Sequence, residues 1–192
     1  STASGHSPAA NATGDTAARA SNSKETEEKK KLDALRQSAI KEAWAREVEL
    51  VLQGKGTRNW TVAQQAELIE FGKVGGFEGH HMKNVKDYPQ FAGDSNNIQF
   101  VSYAEHYFGA HDESFKNSTN GRLDTQTGVM HPFEGDELPQ MPVIELTDKY
   151  EPSQYELTRA LGRNFGYQRK EDMKDSRKRH KGEKSTYKIG KT

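Results

Sequence analysis

The chain has 192 residues, of which 32% are hydrophobic and 29% charged, enough for one catalytic domain with tails and only a small core. It contains no cysteine, which excludes disulfides, thiolate zinc sites and cysteine nucleophiles. Formal net charge is zero, no apolar run reaches the ~18 residues needed to cross a bilayer, and the N-terminus lacks a basic-then-apolar secretory pattern.

Residues 1–22 are mostly Ala, Ser, Thr, Gly and Asn. They offer too little apolar surface to offset ordering entropy and read as a disordered leader or linker. Residues 23–72 read as a helical N-terminal part. In its first helix, Lys24 to Leu52, Leu32, Leu35, Ile40, Trp44, Val48 and Val51 form one apolar stripe. Asn22 or Ser23 would cap it, and Gly54 with Gly56 would end it. A second helix opens at the capping box Thr61–Gln64 and stops at Gly72.

Residues 73–120 carry the chemistry. Val74 to Val85 reads as a glycine-turned strand or hairpin, and residues 86–93 as a turn around Pro89. Asn97 to Val101 alternates as a strand, and Ser102–Glu105 is a capping box opening a helix that bears His106. Asn120-Gly121 signals a turn. In an extension over residues 121–167, Val143 to Leu146 reads as a strand and Ser153–Glu156 opens a short last helix. Residues 168–192 form a basic tail, read as flexible. From Arg169 onward ten Lys and Arg stand against four Asp and Glu. Arg169, Lys170, Arg177, Lys178 and Arg179 are candidate phosphate contacts.

Within the central segment, Glu78-Gly79-His80-His81, Asn97, His106 and His111 gather four of the seven histidines. Such a set could hold a divalent ion and activate a water. Adjacent strand residues point to opposite faces, so His80 and His81 take different jobs: one ligates, the other serves as general base. A histidine ligand is usually oriented through its second nitrogen. The base needs orienting too, which Asn97 can do. Arg58 is a candidate clamp for the scissile phosphate. Tyr103, Tyr107 and Phe108 read as helix packing.

The stretch from Phe77 to His106 resembles the GHH branch of the HNH (ββα-metal) nucleases, common as toxin domains of bacterial polymorphic toxins such as Rhs-type effectors, in a wider group with the DNase colicins. The resemblance covers about residues 58–120. It implies an α+β fold with a ββα-metal core, flanked by N-terminal helices and a partly disordered basic C-terminal tail. It also implies His80 and His106 as metal ligands, His81 as the base, Asn97 fixing the base loop and Glu78 supporting the site. The family's further histidine commonly lies four residues beyond the helix ligand. His111 lies five beyond, about 140° round an ideal helix, so Asp112 and His131 compete with it as third ligand.

The resemblance implies a metal-dependent, largely sequence-nonspecific DNA endonuclease using one divalent ion (Mg, Mn, Ni or Zn). It would be an antibacterial effector on double-stranded DNA, delivered by a larger secreted carrier through a system such as type VI secretion, without membrane insertion. It would act in the target bacterium's cytoplasm and be opposed by a cognate immunity protein. The alternatives are a metal-stabilised DNA- or partner-binding module without catalysis, and an RNase toxin.

Overall fold

A computed structural model describes residues 12–110, 118–138 and 140–187. Helix α1 (Ala12–Leu52, 41 residues) starts well before Lys24. Asn22 and Ser23 therefore lie inside it, and the Ser23 hydroxyl donates back to the Ala20 carbonyl at 2.9 Å. Residues 17–31 are rich in Ala, Lys and Glu, good helix formers, and they stay exposed. Only the second half packs, burying Ala39, Ala43, Val48 and Val51.

Strand β1 (Lys55–Gly56) follows, then α2 (Val62–Phe71). Both reciprocal bonds of the Thr61–Gln64 capping box are present, and Gly72 ends the helix at φ 77°, where glycine has no Cβ penalty. Arg163 donates to the carbonyls of Ile69 and Glu70 at 2.8 and 2.6 Å, meeting acceptors that a helix end leaves open.

Strands β2 (Phe77–His81) and β3 (Ile98–Ser102) pair antiparallel, with His81 opposite Ile98 and His80 opposite Gln99. Residues directly opposite share a face, so Gly79, His81, Ile98 and Phe100 form one side. That side rests on α1. Trp44 stacks on Phe100 at 3.8 Å between centroids, and a Cβ on Gly79 would meet Ile40 and Ile98 at 3.0–3.1 Å. Gly79 is thus the residue that lets α1 lie directly on β2.

Two short 3-10 turns, Pro89–Phe91 and Ser95–Asn97, sit in the connection. Asn97 therefore precedes its strand rather than opening it. The Ser102–Glu105 box forms, Glu105 accepting from the Ser102 amide at 2.9 Å and donating its own amide to the Ser102 hydroxyl at 3.2 Å. The following segment, Glu105–Ala110, is wound as a π-helix with i→i+5 bonds.

Strands β4 (Gly121–Asp124) and β5 (Val129–Pro132) form a hairpin. Its tip is built by the Asp124 carboxylate, which accepts from the Gln126 and Thr127 amides, and by Gly128 at φ 73°. Gly121 opens a strand here instead of closing a turn. Strand β6 (Ile144–Glu145) pairs with β1. Helix α3 (Gln154–Tyr187, 34 residues) opens at the Ser153–Glu156 box. It then runs on through the segment read as a tail, whose Arg, Lys and Glu favour helix. The architecture is α+β: helices around three two-stranded antiparallel sheets among the described residues.

The core joins α1, α2 and the β2–β3 hairpin through Trp60, Leu68, Ile69, Val74, Ile98 and Phe100. At its centre Glu47 accepts bonds from the Thr57 amide, the Thr57 hydroxyl and Trp60 Nε1, each at 2.8 Å. Burial pushes its carboxyl above the usual range despite these donors. Three bonds on one buried acid hold the loop after β1 against α1.

Candidate active site

The face of β2–β3 turned away from α1 carries Glu78, His80, Gln99 and Val101. His106, from the segment after β3, closes over it. Its Nδ1 lies 2.8 Å from Glu78 Oε2, and its Nε2 lies 3.2 Å from Nδ1 of the buried His80. A carboxylate only accepts, so His106 Nδ1 carries a proton, and in the neutral ring the Nε2 lone pair faces His80. Glu78, His80 and His106 thus meet, and Glu78 acts by orienting His106.

The donor set fits a divalent ion. Nitrogens 3.2 Å apart suit two imidazoles binding one ion at ~2.0–2.1 Å each, with the tautomer of His106 already fixed for ligation. Among the described residues no three His, Cys, Asp or Glu side chains gather in a metal-binding group. His111 and Asp112 lie outside the described residues. His131 stands on the β4–β5 hairpin, 3.8 Å from the Asp124 carboxylate, and not beside His80.

His81 points to the opposite side, as strand alternation requires. Its Nε2 donates to the Ala92 carbonyl at 3.0 Å, leaving the lone pair on Nδ1. Burial, and then the Arg36 charge, hold its pKa below the ordinary imidazole value against the raising effect of Ala92. The ring is therefore neutral at neutral pH.

Asn97 is fully buried and fixes the loop that carries Ala92. Its Oδ1 accepts from the Lys83 amide at 2.8 Å, and its Nδ2 donates to the carbonyls of Lys83 and Phe91 at 2.9 and 3.3 Å. Its main-chain carbonyl accepts from Met82 at 2.9 Å. Asn97 therefore orients His81 through the loop and not by touching the ring.

Arg58, the candidate phosphate clamp, is paired within the chain. Its guanidinium makes a bidentate pair with Glu105, 2.8 Å on each arm, and lies over the Phe77 ring at 4.7 Å. Burial would raise the Glu105 carboxyl, but the Arg58 and Ser102 bonds outweigh it and hold it below its usual value. Arg58 is thus engaged in anchoring the start of the segment that bears His106. Arg169 and Lys170 are exposed on α3, while Arg177, Lys178 and Arg179 fall on its course with side chains outside the described part. Tyr103 and Phe108 are each 60% exposed, and both rings pack on Tyr107, Tyr103 stacked at 6.3 Å between centroids and Phe108 edge-on at 5.0 Å.

Two participants were missed from sequence. Glu105 was read only as a capping residue, and its box was the available signal. Lys83 is fully buried and donates to Asn120 Oδ1 and the Gly135 carbonyl at 3.1 and 3.0 Å, over the Tyr88 ring at 4.4 Å. It pins the loop after β2 to the segments on either side of the β4–β5 hairpin. Nothing in a lone lysine within a polar stretch foretells that.

Residues 26–102 match the family described as GHH signature containing HNH/Endo VII superfamily nuclease toxin. Similar curated proteins are Teneurin-3 of Mus musculus, 41% identical over 75 residues, and Teneurin-4 of Homo sapiens, 35% identical over 75, each match covering 38% of this chain. Teneurin-m of Drosophila melanogaster is 32% identical over 85 residues, 44% of this chain. The matched part spans about 3% of the length of each of these relatives. The matched stretch is the one that carries His80, His81 and Asn97.

Proposed function

We propose that the chain is a metal-dependent endonuclease of the ββα-metal type, hydrolysing phosphodiester bonds of DNA with little sequence preference. The observation that carries this reading is the division between His80, whose Nδ1 converges with His106 Nε2 at 3.2 Å, and His81, whose Nε2 is fixed on the Ala92 carbonyl. His81 Nδ1 takes a proton from the attacking water. The water oxygen bonds to phosphorus, and the bond to the 3′ oxygen breaks. Asn97 and the Ala92 carbonyl keep the base aimed, which avoids reorganisation during the step.

A divalent ion held by His80 and His106 would supply Lewis-acid stabilisation of charge on the phosphate and the leaving oxygen. Two imidazoles favour zinc, nickel or a similar transition ion over magnesium, which prefers oxygen donors. The test is nicking of supercoiled plasmid with and without divalent ions. Cleavage that needs the ion, stops with a chelator and is lost in His81→Ala supports the reading; cleavage by His81→Ala sinks it.

Delivery into a bacterial cytoplasm, with a carrier and an immunity protein, rests on the toxin family alone. The teneurin matches include proteins of Mus musculus, Homo sapiens and Drosophila melanogaster and do not argue for it. No helix among the described residues is long and apolar enough to cross a membrane.

A further inference from the structure

The β2–β3 sheet has two strands, so the outer edge of β3 meets no further strand among the described residues. A cleft of about 490 Å³ lies there, with Gln99 in its lining, Arg58 and Asn59 on one wall, Arg122 on another, and Met141 with Pro142 closing it. Gln99 ties β4 to β3: its amide donates to the Leu123 carbonyl at 2.7 Å and accepts from the Leu123 amide at 2.9 Å. The cleft is therefore a built feature that links the hairpin of the site to the β4–β5 hairpin.

Its charges are not equivalent. Arg58 is neutralised by Glu105. Asp124, also lining the cleft, turns Oδ1 onto its own turn amides. Arg122 is half-buried and makes no hydrogen bond or ion pair among the described residues. A guanidinium on a cleft wall, with five donors and no acceptor, matches a phosphate.

The cleft also adjoins the site. Gln99 stands opposite His80 in the strand register, and Arg58 grips Glu105, the chain neighbour of His106. A nucleic-acid strand crossing the His80–His106 pair would meet this edge. We propose that the cleft takes a phosphate flanking the cleaved bond, with Arg122 as its contact. The proposal rests on the nuclease reading above and extends its substrate site to β4.

The test is binding, measured apart from cleavage. The full chain carrying His81→Ala is titrated with a fluorescent 20-base-pair DNA duplex in chelator over a range of NaCl concentrations. Adding Arg122→Ala should weaken binding severalfold and flatten the slope of log affinity against log salt by about one. Arg122→Lys keeps the charge and should restore the slope. Arg122→Gln repeats the loss if Arg122→Ala melts early. A slope unchanged in both Arg122→Ala and Arg122→Gln overturns the proposal, as does equal Arg122 dependence for a poly-glutamate peptide, which would mark a site for acidic proteins. Plasmid nicking by the parent chain, run beside it, tests the nuclease reading separately.

Discussion

The two faces of the β2–β3 hairpin are built from neighbouring residues and do opposite work. One face presents Glu78 and His80 to His106, with polar contacts at 2.8 and 3.2 Å. The other lays Gly79, Ile98 and Phe100 on α1, closely enough that a single Cβ on Gly79 would crowd Ile40. His81 belongs to the packed face but sits at the end of the strand, where Ala92 can hold its ring. The difference teaches how a one-residue step along a strand sends neighbouring histidines to different surroundings. Period-two alternation separates His80 from His81, and the close-packed side supplies the rigidity that the polar side needs.

Substitutions can break this contrast. The largest effect belongs to His81→Ala, which should lower plasmid nicking by about 10²–10⁴-fold, the range for a lost general base, measured at a temperature where the thermal midpoint shows the variant folded. Asn97→Ala leaves the Lys83 amide and the carbonyls of Lys83 and Phe91 without their partner. It should cost about 2–4 kcal/mol, since each buried polar group left open costs ~1–3 kcal/mol, as read by urea unfolding. Glu78→Gln frees the orientation of His106 and should weaken divalent-ion binding by about 10–100-fold, as loss of outer-shell partners does. The smallest is Ile98→Val on the packed face. It should cost about 0.5–1.5 kcal/mol of stability and leave ion affinity unchanged; an ion-binding defect there would show that the faces are not separable.

Legibility in the sequence followed the range of the interactions. The capping boxes at Thr61, Ser102 and Ser153 are local chemistry, and all three formed at the expected residues. The alternation through His80 and His81 is likewise local, and it placed them on opposite faces. The β4–β5 hairpin escaped notice because its strands are four residues each and its turn relies on Asp124 and Gly128 instead of a two-residue signal. The Arg58–Glu105 pair is hidden for a different reason. The two lie 47 positions apart, and no spacing rule joins them. Lys83 and the Ala92 carbonyl are legible only in three dimensions, because a backbone acceptor has no sequence signature. The early start of α1 and the length of α3 reflect helix propensity in charged stretches that a reading based on apolar stripes passes over.

The central claim is that adjacent histidines are split between ion and water. It is tested most directly by calorimetric titration of nickel into the parent chain, His80→Ala and His81→Ala. The account predicts that His81→Ala binds the ion as the parent does and that His80→Ala loses it. Ion binding lost in His81→Ala and kept in His80→Ala would contradict the assignment.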